Sequence, residues 1–193
     1  MVRHPVKVLV PADLRRLLRH VQSTRHPQRN RALVLLSFKA GLRACEIAGL
    51  SWPMVLAGNG KLGDGLAISK HIAKMGHGRR IPLHADLSAS LHALHVQQGW
   101  PRAGPVIVSE RDGHMTARSI VNWFHDAYAA LHLDGCSSHS GRRTFITRSA
   151  RMLQKTGGSL RDIQELAGHR SLVTTERYIE GDRDAQRKLI TLI

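Results

Sequence analysis

Apolar residues recur at helical spacing almost from the start of the chain. Pro11 stands at a first helical position, and Leu14, Leu17, Leu18 and Val21 follow on one face. A second helix is predicted over Arg29 to Lys39, with Leu33, Leu36 and Ala40 facing inward and Gly41 as its terminating glycine. Arg43 then lies at the mouth of a further short helix. From Trp52 to Leu83 the texture changes to short strand-like pieces, divided by Gly58, Gly60, Gly63, Gly65, Gly76 and Gly78 and bordered by Pro53 and Pro82. Helical spacing returns over Leu87 to Gln98, Ser119 to His132, Ser140 to Leu153 and Leu160 to Leu166, and in a short piece running through Tyr178. The expected fold is mainly α with a small three-stranded antiparallel β-sheet. The loops Gly99 to Gly104, Gly135 to Ser138 and Gly157 to Ser159 are too short for domain linkers, so residues 1–193 are expected to form one domain.

Charge narrows the partners. Lys and Arg number 29 against 14 Asp and Glu, a net charge of +15 that points to a polyanion, nucleic acid first. The longest apolar run, Ala32 to Phe38 broken only by Ser37, is far short of the ~20 residues that span a bilayer. The first ten residues mix Arg3, His4 and Lys7 into an apolar stretch, unlike a signal peptide. Cys45 and Cys136 read as reduced thiols of a cytosolic protein. The 13 histidines are scattered, and His92 with His95 read as a solvated helix face, so no metal is expected. Gly58, Gly60 and Gly63 have the spacing of a dinucleotide fingerprint, but they open a strand where that motif opens a helix, so no nucleotide is expected either.

Phosphodiester cleavage without a metal needs three things: a nucleophile, fixed cations for the charge on the non-bridging oxygens, and an acid for the leaving oxygen. Arginine suits the second task, because its planar guanidinium stays charged and grips two oxygens together. Arg43 and Arg142 both lie next to helix starts. His139 precedes Arg142 by three positions and shares its helix face. Downstream, Ala167-Gly168-His169 is followed by Ser171, which can cap a helix leading to Tyr178.

Together these segments resemble the catalytic domain of the tyrosine recombinases, the phage integrase family, from about Pro11 to the end of the chain. Gly41-Leu42-Arg43-Ala44-Cys45-Glu46 is similar to the family's first-arginine motif, with Leu50-Ser51-Trp52 continuing it. His139 to Arg142, then Thr144-Phe145, is similar to its histidine-x-x-arginine box. Ala167-Gly168-His169 and Thr174 to Tyr178 resemble its second histidine and its nucleophile, with Tyr178 nine positions after His169. Gly141, Arg143 and Ala167 depart from the usual residues. The stretch from Arg142 to His169 is also longer by about one helical turn, with Gly157-Gly158 expected to absorb it.

The resemblance implies a DNA breaking-rejoining fold and a 3′-phosphotyrosyl intermediate on Tyr178, with no cofactor. Arg43, Arg142 and His169 would stabilise the transition state, and His139 would help move the tyrosine proton. Lys74, placed by the following Ile81-Pro82-Leu83, would be the general acid, with Lys70 as its competitor. Glu46 would orient Arg43 or His139. The implied partner is double-stranded DNA, bound by a synaptic tetramer and used to integrate or excise mobile DNA. The implied location is the bacterial cytoplasm, on the nucleoid when bound to DNA. The apolar tail Leu189, Ile190, Leu192 and Ile193 would dock on its own domain or on a neighbour. The family's N-terminal core-binding domain is not expected within this sequence, which reads first as a piece of a longer protein and second as a short natural version; the second would favour a DNA-binding regulator without catalysis, and a type IB topoisomerase and a metal-dependent nuclease are further alternatives.

Overall fold

Proline sets the start of the first two helices, because its missing N–H is one that a helix leaves unpaired at that position. In the computed structural model, which describes residues 7–73, 76, 78–178 and 190–191, α1 spans Pro11–Gln22 and α2 spans Pro27–Lys39. Helix α2 thus begins two residues ahead of the expected Arg29, at a second proline of the same kind. Its residues from Ala32 to Phe38 are all buried. It is the central rod, touching α1, the short α3 (Ala44–Gly49) and the later helices over Ala85–Gln97 and Ser140–Thr156. A helix apolar all round has to be enclosed on every side, and each fully buried Leu or Val contributes about 1.5–3 kcal/mol.

A single 3₁₀ turn at Trp52–Met54 leads to β1 (Gly65–Ile68), which pairs antiparallel with β2 (Arg79–Pro82) in the register Gly65 to Pro82 and Ile68 to Arg79. Among the described residues the sheet has these two strands and not the expected three. Leu56 and Leu62 form only an isolated bridge. The chain reverses between them in a tight turn closed by Ala57 N–H to Lys61 O at 2.8 Å, which leaves arms too short for a ladder.

Helix α4 covers Ala85–Gln97 and packs on α2. His95 is not on a solvated face as its sequence context suggests. It is 1% exposed, its ring lies 4.4 Å from that of Trp52 and 5.1 Å from that of Trp100, and Nε2 hydrogen-bonds to Pro101 O at 2.8 Å. Helix α5 (Ala117–Ala130) starts two residues before the expected Ser119, because the Thr116 hydroxyl caps it by accepting from Ser119 N–H.

Helix α6 (Ser140–Thr156) crosses α2 so closely that a Cβ on Gly141 would stand 2.2 Å from Ser37 Oγ and 2.9 Å from the Phe38 ring. The departure at Gly141 is therefore a packing requirement of this crossing. Helix α6 runs past the expected Leu153 to Thr156, with Gly157 as its left-handed cap. A capping box of Ser159 and Asp162 starts α7 (Leu160–Ala167), and α8 (Leu172–Glu176) follows. Ile146, Ile163 and Ala167 form a small second core that seats Tyr178 beside α6 and α7.

Candidate active site

Two helix ends supply the scaffold of the site. Helix α2 terminates at Gly41, whose φ of +63° belongs to the left-handed region and whose missing Cβ leaves room for the Phe145 ring at 2.5 Å. The chain then turns so that Arg43 heads α3. Glu46, three residues on, reaches back to Arg43: Oε2 accepts the Arg43 backbone N–H at 2.9 Å, and Oε1 accepts Nη1 at 3.0 Å. Glu46 is fully buried, and Arg79 on β2 meets it from the other side with two parallel bonds, 2.8 Å to Oε1 and 3.0 Å to Oε2. Burial alone would raise this carboxyl. The hydrogen bonds and charge of Arg79, and then those of Arg43, hold it below the usual carboxylate range.

Helix α7 supplies the second end. Gly168 caps it at φ +63°, with Gly168 N–H bonded to Glu165 O and His169 N–H to Gln164 O, both at 3.0 Å, the paired bonds of a Schellman motif. Two carbonyls of its last turn accept from arginines: Leu166 O from Arg79 Nε at 2.9 Å and Ala167 O from Arg142 Nη2 at 2.7 Å. Cations belong at this negative end of a helix. Arg142 also gives Nη1 to Gly41 O at 2.6 Å, so one guanidinium ties the end of α2 to the end of α7. Arg142 is 2% exposed, and burial, followed by the charge of Arg43, lowers it to about 10. It therefore stays charged at neutral pH in a setting that disfavours the charge, and an arriving anion would relieve it.

The Schellman turn delivers His169 between these arginines and Tyr178. Its Nδ1 lies 2.9 Å from the Thr175 hydroxyl, and its ring stacks on the Tyr178 ring with centroids 5.3 Å apart and planes 24° apart. Burial first, then the charges of Arg142, Arg43 and Arg79, pull His169 down to about 4, so it is a neutral imidazole at pH 7. Tyr178 sits in the turn just after α8. Its carbonyl accepts from Thr147 at 3.2 Å, and Arg143 lies over its ring at 5.8 Å. Ser171 holds the position that precedes α8, but its hydroxyl meets the Thr174 hydroxyl at 3.3 Å and makes no cap bond to a backbone N–H.

Of the residues expected to act together, Arg43, Glu46, Arg142, His169 and Tyr178 converge here. His139 is exposed in the position preceding α6, one turn before Arg142. Lys74 lies outside the described residues, as do Leu189, Leu192 and Ile193 of the tail. Lys70 is exposed beyond the end of β1. Glu46 pairs with Arg43, one of its two expected targets. Sequence reasoning missed Arg79 and Thr175. Strand alternation carried a signal for the first: Arg79 shares the inward face of β2 with Ile81, and a charge aimed inward calls for a buried partner.

The arrangement holds three guanidinium groups against one carboxylate, with a neutral imidazole and a phenol at its edge. Arg43 keeps Nη2 and Nε without a protein partner among the described residues, and the surplus of positive charge suits an oxyanion such as phosphate. Beside it a groove of about 860 Å³ runs between β2 and α7, lined by Arg79, Arg80, His169 and Arg170. Among the described residues, no helix is long and apolar enough to cross a membrane, and Cys45 and Cys136 are free thiols.

Known proteins share this architecture. The chain is 33% identical over 153 residues to tyrosine recombinase XerC of Nitrobacter winogradskyi, a match covering 78% of this chain and 45% of that relative. It is 30% identical over 159 residues to XerC of Rhodospirillum centenum, covering 81% and 43%. The chain thus spans less than half the length of either relative. Among solved structures, the Tn1549 transposon integrase in complex with transposon right end DNA superposes with a TM-score of 0.76 at 17% identity, over 98% of this chain and 67% of that one. XerA recombinase superposes with a TM-score of 0.75 at 20% identity, over 98% and 65%. At these identities the structures speak for the fold, which is that of recombinase catalytic domains. Residues 7–184 match the phage integrase family, and with the motifs around Arg43, Arg142 and Tyr178 in their order, the chain belongs to that family.

Proposed function

We propose that this chain cuts and rejoins double-stranded DNA as the catalytic part of a tyrosine-type site-specific recombinase. The observation that carries this reading is the convergence of Arg43, Arg142, His169 and Tyr178, drawn from four separate segments, around one cationic and largely buried spot. In the proposed reaction Tyr178 Oη attacks the scissile phosphorus as the bond to the 5′ oxygen breaks. His139 takes the phenolic proton, and Lys74 protonates the departing 5′ oxygen. Arg43 and Arg142 bind the non-bridging oxygens. With the Thr175 hydroxyl donating to Nδ1, neutral His169 keeps its hydrogen on Nε2 and adds a third donor.

The phosphotyrosyl bond conserves the energy of the phosphodiester, so a 5′ hydroxyl of another duplex reverses the step without ATP. Exchange between duplexes calls for several protomers, and a synaptic tetramer on DNA fits that need. Integration or excision of mobile DNA is the task proposed for it.

The test uses a pool of nicked duplexes, randomised in sequence around the nick, so that the short 5′ product diffuses away and traps the covalent species. The expected result is a protein–DNA adduct that survives detergent, forms equally in EDTA and disappears in Tyr178→Phe. Duplex binding without adduct supports a non-catalytic regulator, and adduct lost in EDTA supports a metal-dependent nuclease. Relaxation of supercoiled plasmid with no exchange between duplexes supports a topoisomerase.

A further inference from the structure

Arg79 belongs to none of the motifs that carry the family resemblance, yet its side chain makes three hydrogen bonds at the edge of the site. Its guanidinium makes a two-pronged pair with Glu46, at 2.8 and 3.0 Å, and its Nε holds Leu166 O at 2.9 Å. It joins β2, α3 and the end of α7 through one planar group. The chain leaves space for it: a Cβ on Gly168 would stand 2.8 Å from Arg79 Nη1. The side chain of Arg79 is 7% exposed and that of Arg43 17%, so Arg79 lies behind and Arg43 in front.

The four acceptor directions of the Glu46 carboxylate are all occupied. Oε1 takes Nη1 of Arg79 and Nη1 of Arg43, and Oε2 takes Nη2 of Arg79 and the backbone N–H of Arg43. The two parallel bonds from Arg79 fix the carboxylate plane, because fork-to-fork pairing admits one relative orientation. That plane offers Arg43 a single side-chain bond. Without Arg79, a fully buried carboxylate would have one cation within reach and would pair with it in the same two-pronged way. Arg43 would then turn both its Nη groups to Glu46 and away from a phosphate.

We propose that Arg79 is a positioning residue: it occupies the second face of Glu46 so that Glu46 aims Arg43 without chelating it, and it steadies the turn that presents His169. The proposal rests on the phosphate-binding role of Arg43 put forward above. Arg79 itself does not reach the phosphate.

The experiment uses the full chain and the duplex recovered from the randomised pool. Arg79→Met is expected to slow adduct formation about 100-fold, the scale of losing one oriented donor, with duplex affinity changed by less than about threefold. Arg79→Lys, with the charge but not the fork, is expected to fall between Arg79→Met and the parent. The decisive variant is Arg79→Met with Glu46→Gln. A neutral amide cannot chelate Arg43, so the double variant is expected to recover about tenfold over Arg79→Met alone, a coupling that a merely structural role does not produce. Losses that multiply in the double variant, or an Arg79→Met rate close to the parent's, overturn the proposal. If the parent chain forms no adduct, the functional reading fails and a crystal structure of Arg79→Met decides this one. Glu46 paired to Arg43 by two parallel bonds supports it, and the single bond retained overturns it.

Discussion

Acid should weaken this fold through His169, and the amount follows from its surroundings. In the unfolded chain this imidazole takes up a proton near pH 6.5; in the folded site burial and three guanidinium groups hold it back until about pH 4. Unfolding therefore binds a proton between those values. The stabilisation from a neutral His169 is complete above pH 6.5 and is lost progressively as pH falls toward 4. The 2.5-unit separation corresponds to about 3 kcal/mol in all, of which about 2 kcal/mol is gone by pH 5. For a chain of this size that lowers the melting temperature by roughly 4–8 °C between pH 7 and 5. The assay is a pair of melts, at pH 7 and pH 5, of the parent and of His169→Asn, an amide that can still meet the Thr175 hydroxyl. Exposed histidines contribute equally to both proteins and cancel in the difference. The variant is expected to lose about 2 kcal/mol less than the parent on acidification. Equal losses in the two would refute the idea that burial and the neighbouring guanidinium groups keep His169 neutral. Bound DNA should act the opposite way, since a phosphate among the arginines offsets the repulsion, and NMR should then see His169 titrate at higher pH.

Three further outcomes follow from the same contacts. Gly141→Ala improves helix propensity by about 1 kcal/mol but drives a methyl into Ser37 and Phe38, and overpacking of this kind costs about 1–3 kcal/mol. A lower melting temperature with slower adduct formation is expected; a variant as stable and as fast as the parent contradicts the tight crossing. Arg142→Lys cannot span Gly41 O and Ala167 O together, so one buried carbonyl loses its partner at about 1–3 kcal/mol in urea denaturation. Adduct formation should drop by about 10²–10³ with the loss of the fork. Thr175→Val keeps the shape of a fully buried side chain and removes the partner of His169 Nδ1, which should slow cleavage about tenfold at a cost of about 1 kcal/mol in stability.

The sequence determined whatever is decided within one or two helical turns. Pro11, Gly41, Gly157 and Gly168 mark helix ends through their own backbone preferences, and the spacing of Leu14, Leu17 and Val21 marks a buried face. The motif residues could be named because each lies in a short segment similar to the family's motifs, and Arg43 is only three residues from Glu46. Tertiary structure decided the rest. Arg142 reaches a carbonyl 101 residues away and Arg79 a carboxylate 33 residues away, and no local pattern encodes pairings over such separations. His95 looks solvent-facing until two tryptophans close over it, and the expected first strand shrinks to one bridge because its turn is too tight. Local conformation is set by each residue's own sterics and nearest hydrogen bonds. The protonation of His169, the aim of Arg43 and the need for a glycine at position 141 are set by charges and atoms that only the folded chain brings within a few ångströms.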